Sequence, residues 1–227
     1  MSKHLVRDME SLKKDILTMG AMVEEAMNKA ITALTTRNVD LAKEVMEGDS
    51  EIDEMELEVE DKCLKILALY QPVAGDLRFI IAVMKVNNDL ERIGDFALHI
   101  AERAMYLSER PPLQAPLGFN EMVGKVRTML KMVLDALVRQ DSALAREVVR
   151  MDEEVDELHW QMFDILMKLM KDDPSTVDRA FYILSASRHL ERVADYATNI
   201  AEDVVFMVEG EVIKHRFKGR NFKEGEN

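Results

Sequence analysis

Two stretches decide the fold: Leu90-Glu91-Arg92-Ile93-Gly94-Asp95 and, further along, Leu190-Glu191-Arg192-Val193-Ala194-Asp195. They match in order and in residue type, and they are not alone. Asn38-Val39-Asp40-Leu41-Ala42-Lys43-Glu44-Val45 aligns with Asp141-Ser142-Ala143-Leu144-Ala145-Arg146-Glu147-Val148. Asp49-Ser50-Glu51-Ile52-Asp53 aligns with Asp152-Glu153-Glu154-Val155-Asp156, and Ile100-Ala101-Glu102 with Ile200-Ala201-Glu202. A duplication with its order preserved predicts two copies of one structural unit, packed with approximate twofold symmetry.

Each unit reads as three helices. Leu5, Met9, Leu12, Ile16, Met19, Val23, Met27, Ala30 and Leu34 keep the three-four spacing of a buried helix face. Further helices are expected from the Asn38 cap to about Leu69, from Asp76 to Leu107, from Phe119 to Leu137, and from the Asp141 cap to Met170. A sixth is expected from Asp173-Pro174, read as a cap followed by proline at the first helical position, to about Val208. Pro111-Pro112-Leu113-Gln114-Ala115-Pro116 interrupts the pattern as a linker would. The expectation is an all-α chain of two tandem three-helix bundles: residues 1–110, a linker at 111–118, residues 119–218, and a flexible tail at 219–227.

Composition narrows the function. The 227 residues are 48% hydrophobic, 32% charged and only 6% aromatic, with 17 methionines, which suits helix packing. A net charge of −13 opposes general attraction to nucleic acid or to an anionic membrane. The basic stretch Lys214-His215-Arg216-Phe217-Lys218-Gly219-Arg220 is the local exception and reads as a solvated tail. A single cysteine, Cys63, permits no internal disulfide and fits a reducing compartment. No apolar run reaches the ~18 residues of a membrane helix, and the start lacks a signal-peptide core.

Four acidic pairs carry the chemistry: Asp49/Asp53, Glu91/Asp95, Asp152/Asp156 and Glu191/Asp195. The i,i+4 spacing puts both carboxylates of a pair on one helix face, where like charges repel modestly. If each bundle folds back near Pro72 or Pro174, the pairs of neighbouring helices fall at one height, about 30 Å from the turn. Carboxylates gathered in this way suit magnesium, manganese or iron. They equally suit a solvated acidic face, and the pattern does not choose between the two. His159 replaces Glu56 and Phe163 replaces Glu60 in the second unit, so the two patches are expected to differ. Arg92 and Arg192 are expected to bridge to neighbouring acids. Gly94, inside a helix, is expected at a close helix approach. Phosphate-binding glycine loops, serine elbows, cysteine motifs and the Glu-x-x-His pairs of di-iron bundles are all missing from the sequence.

At Asn88 to Asp95, at Leu190 to Asp195 and at Thr198-Asn199-Ile200-Ala201-Glu202, the sequence resembles the PhoU family, and the resemblance runs from about Leu5 to Lys218. It implies six helices in two repeated bundles and a cytoplasmic, non-enzymatic regulator. Such a protein holds the phosphate-starvation response off as an adaptor between the phosphate transporter and a sensor histidine kinase. The implied partners are that kinase and the transporter's ATPase subunit, with membrane contact only through them; some members are dimers. Some bind multinuclear iron or zinc through their D/E-x-x-x-D motifs. Carried over, the ligands here are Asp49, Asp53, Glu91 and Asp95 in one half, and Asp152, Asp156, Glu191 and Asp195 in the other. Ser187-Arg188-His189 stands where the first half has Asn87-Asn88-Asp89, so ligation by an Asp89 counterpart is not expected in the second half. The competing reading is a metal-storage protein or a metal-dependent hydrolase.

Overall fold

In a computed structural model, the described residues are 3–113, 115 and 117–213. The basic stretch at 214–220 and the tail at 219–227 lie outside them. Six α-helices account for nearly all of the described chain: α1 (Lys3–Thr36), α2 (Val39–Tyr70), α3 (Ala74–Ser108), α4 (Phe119–Arg139), α5 (Ser142–Asp172) and α6 (Val177–Glu209).

The caps explain where the helices start. Asn38 accepts hydrogen bonds from the backbone N–H groups of Asp40 and Leu41, and Asp141 accepts from those of Ala143 and Leu144. These are equivalent positions in the two repeats, and each satisfies donors that a helix start would otherwise leave open. The start of α6 differs from expectation. Pro174–Thr176 forms a single 3-10 turn, and the α-helix begins at Val177. Asp173 caps this tight turn through the N–H of Ser175, and the Thr176 hydroxyl donates back to the Asp173 carbonyl at 2.7 Å.

α1, α2 and α3 pack on one another, as do α4, α5 and α6. The two bundles meet mainly through α3 and α6, with a lighter touch between α1 and α4. α3 and α6 run antiparallel: Lys85 reaches Asp203 near one end of the seam, and Arg103 reaches Ser185 near the other. Small residues, Ala97, Ala101, Ala104, Ala194, Ala197 and Ala201, are buried along these two helices and let them approach closely. The core is continuous, and Leu12, Ile16, Met19, Ile66, Leu90, Ile93, Ile100 and Met129 are fully enclosed. Gly94 lies against Ile52 of α2: a methyl group there would stand 3.2 Å from Ile52 Cγ2. The close approach expected at Gly94 is present.

Candidate functional site

The hairpin between α2 and α3 brings the first two acidic pairs together. The Asp49 carboxyl is held above its usual range by burial, then by the charges of Asp53 on its own helix and Asp95 on α3; His99 acts in the opposite direction. Glu91 is likewise raised by burial and by Asp95, with smaller effects from Asp53 and Glu56 across the hairpin, while Arg92 opposes. Glu56 is raised by burial and by Glu60 and Asp53. Carboxylates far apart in sequence thus act on one another, as their equal distance from the turn predicts.

The second hairpin repeats the arrangement with deeper burial of its acids. Burial pushes the Glu191 carboxyl up to about 7; Asp195 adds to this, as do Asp156 and Asp152 of α5, while Arg192 opposes. Arg192 pairs with Asp195 at 2.8 Å, and Arg92 with Asp95 at 3.4 Å. The predicted bridges are present in both repeats. They hold one edge of each acidic patch and, being partly exposed, contribute little stability.

The patches differ where the sequence differs. His159, the counterpart of Glu56, lies within the second bundle with Nδ1 2.9 Å from the Ser187 hydroxyl. Burial and the Arg188 charge hold its imidazole below the usual range. Phe163, the counterpart of Glu60, packs edge-on against Trp160. The first patch is therefore richer in carboxylate, and the second drier.

A group the periodicity did not reveal lies where α3 crosses α6. His99 and His189 stack with ring centroids 5.2 Å apart; Phe96 packs against both, and Tyr196 packs on Phe96. Burial pushes His189 down to about 4, helped by Arg103, His99 and Arg188. Both histidines look like ordinary helix residues in the sequence, and only the crossing angle of the two helices brings them together. Asp203 is a second such group: it is 1% exposed and accepts from Lys85 Nζ at 3.1 Å.

The donor set of each patch, carboxylate oxygen throughout, fits a hard cation. Among the described residues, no three side chains of His, Cys, Asp or Glu already stand grouped to hold a metal ion. No helix among the described residues is long and apolar enough to cross a membrane. Cys63 is buried, and its thiol is pushed up to about 12, chiefly by burial, so it offers no nucleophile.

Comparison with known proteins converges on one group. The family model described as the PhoU domain matches twice, over residues 16–104 and 119–204. A phosphate-specific transport system accessory protein PhoU homolog of Aquifex aeolicus is 42% identical over 212 residues, 93% of this chain and 96% of the relative. One from Pseudomonas putida is 38% identical, covering 95% of this chain and 84% of the relative. The crystal structure of PhoU from Pseudomonas aeruginosa superposes with a TM-score of 0.88 at 37% identity, covering 90% of this chain and 99% of that one. PhoU from Streptococcus pneumoniae, a phosphate transport system regulatory protein, gives 0.85 at 30% identity, covering 92% and 99%.

Proposed function

This chain belongs to the PhoU family, and from that premise we propose that its two acidic patches are the working surfaces through which it regulates. The chain is a negative regulator of phosphate-starvation signalling, an adaptor and not an enzyme. Its relatives are named as accessory proteins of the phosphate-specific transport system, and the partners we assign follow from that. They are the sensor histidine kinase of the phosphate regulon and the ATPase subunit of the transporter, both met on the cytoplasmic side of the membrane.

The observation that carries this reading is the gathering of like charge. Asp49, Asp53, Glu91 and Asp95 act on one another across one hairpin, and Asp152, Asp156, Glu191 and Asp195 across the other. Carboxylates crowded in this way are relieved when a cation or a basic partner surface arrives. Either occupant would recruit the patch by the same physics. The repeats, 1–110 and 119–218, would then act as two docking units of unequal character joined by the linker at 111–118.

A bound hard cation would be held by these same eight residues. It would neutralise the patch and fix the carboxylates for docking. The test compares wild type with Asp53→Ala/Asp95→Ala, both purified without chelator. Metal content is measured by mass spectrometry, and binding to the kinase's cytoplasmic portion by calorimetry. Loss of metal and of kinase binding together supports metal-dependent docking. Loss of binding with no metal in either protein supports a bare acidic surface. Unchanged kinase binding removes the first patch from the docking surface.

A further inference from the structure

We propose that a cleft at the junction of the two bundles binds a small organic anion with an apolar body, and that this ligand latches the repeats together. The cleft has a volume of about 250 Å³. Its walls come from both halves: Leu34 of α1, Leu107 of α3, Leu113 of the linker, Phe119 of α4 and Ile183 of α6. Two arginines, Arg37 and Arg179, stand among these apolar groups, and no carboxylate lines the cleft among the described residues.

Charge identifies the occupant. Arg37 donates through Nη2 to the carbonyls of Leu107 and Arg110, which leaves Nη1 and Nε as donors. Arg179 donates to the carbonyls of Pro111 and Ser175, both at 3.3 Å, which leaves Nε. All four acceptors are neutral carbonyls. Asp173 senses the Arg179 charge without forming an ion pair with it. In a chain of net charge −13, two guanidinium groups facing one apolar cleft with no acid in an ion pair with them among the described residues are unusual. A guanidinium fork suits a carboxylate, sulfonate or phosphate. The apolar walls require the rest of the ligand to be hydrocarbon or aromatic. Arg37 also holds a left-handed backbone, φ 59°, which costs free energy in a side-chain-bearing residue.

The internal repeat supplies a control. Gln140 occupies the position of Arg37 with the same left-handed backbone, φ 53°. Phe79 occupies the position of Arg179, and Ile213 that of Leu113. Ile213 is 1% exposed, whereas Leu113 is only partly buried. The counterpart position after α6 is thus filled by the chain's own isoleucine, and neither counterpart of the two arginines carries a charge. A neighbouring arginine there, Arg78, lies close over Gly210. The cavity with its arginine pair belongs to the first repeat's end of the seam, where a ligand would touch α1, α3, the linker and α6 at once. Ligand binding would therefore stabilise the folded chain by mass action.

The test uses 8-anilinonaphthalene-1-sulfonate, an aromatic anion, and N-phenyl-1-naphthylamine, its uncharged analogue, titrated into the full chain and followed by fluorescence. One saturable sulfonate site per chain is expected, together with a thermal midpoint that rises with probe concentration. Arg179→Gln, at a partly buried side chain, raises the sulfonate Kd about tenfold and leaves the neutral probe unaffected. Arg37→Gln does the same if folded, and Leu113→Trp, which fills the cleft, removes both probes. The absence of saturable sulfonate binding by wild type overturns the proposal. So does a one-to-one site that persists unchanged in Arg179→Gln and Leu113→Trp, because that site would lie elsewhere.

Discussion

Phe96 and Tyr196 hold equivalent positions in the two repeats, and they touch, with ring centroids 5.8 Å apart. A residue meets its own counterpart only near a twofold axis. The pseudo-symmetry read from the duplicated motifs therefore passes through the α3–α6 seam at this pair. Ring contacts of this kind add about 0.5–1.5 kcal/mol to the area they bury. Phe96→Ala should lower stability by about 2 kcal/mol, because both rings are only partly enclosed. Urea denaturation followed by circular dichroism measures this; a change below about 0.5 kcal/mol would show that the seam does not depend on the pair.

Asp203 and Lys85 tie the same seam at one end. The carboxylate is almost fully enclosed, while the lysine is partly exposed. Asp203→Ala leaves the ammonium without its partner and opens a small cavity. We expect a loss of about 1–3 kcal/mol, read from the same denaturation experiment. Lys85→Met leaves the buried carboxylate unpaired and removes the ammonium from over the Phe206 ring, 5.2 Å from its centroid, so it should cost at least as much as removal of the acid.

The second patch gives the chain a pH signature. The folded Glu191 carboxyl titrates at about 7, above its ordinary 4.5. The folded state therefore holds a proton that the unfolded state has released. This contribution to stability is fully present below about 4.5 and is lost as pH rises through 7. In metal-free protein, Glu191→Gln should match wild type near pH 4.5 and exceed it at pH 8 by about 1 kcal/mol, after allowance for the partial exposure of the group. Thermal melts at the two pH values check the sign. Added divalent cation should reduce the difference if the patch is a cation site.

Gly94 tests the helix approach directly. Gly94→Ala gains about 1 kcal/mol of helix propensity but presses on Ile52, so the net change should be small. Gly94→Leu cannot be accommodated and should cost about 2–3 kcal/mol. Cys63 offers an independent check on the same bundle. Its thiol, buried and pushed up to about 12, should not react with a disulfide reagent until the chain is unfolded.

Much of this was legible in the sequence because helices announce themselves by local rules. The three-four spacing from Leu5 to Leu34, the caps at Asn38 and Asp141, and the acid pairs at i,i+4 depend only on near neighbours. The gathering of pairs across each hairpin followed from counting residues to the turn. What was not legible depends on how whole helices cross. The stacking of His99 on His189, the burial of Asp203 and the cleft between Arg37 and Arg179 all arise from the packing of one repeat against the other. The 3-10 turn at Pro174–Thr176 escaped for a different reason. The signal of cap plus proline marks a helical start but does not separate the tight turn from the α-helix. Ile213 escaped because it follows the last helix and carries no periodic signal.

If the acidic patches perform the regulation, removing their charge abolishes it. The most direct measurement is a phosphate-starvation reporter, in phosphate-rich medium, in a bacterium whose own PhoU-family gene has been deleted. The chain is supplied as wild type or with Glu91→Gln/Asp95→Asn/Glu191→Gln/Asp195→Asn, at equal levels and with folding verified. Wild type is expected to hold the reporter off, and the substituted chain to leave it on. A substituted chain that represses as fully as wild type would contradict a regulatory role for the patches.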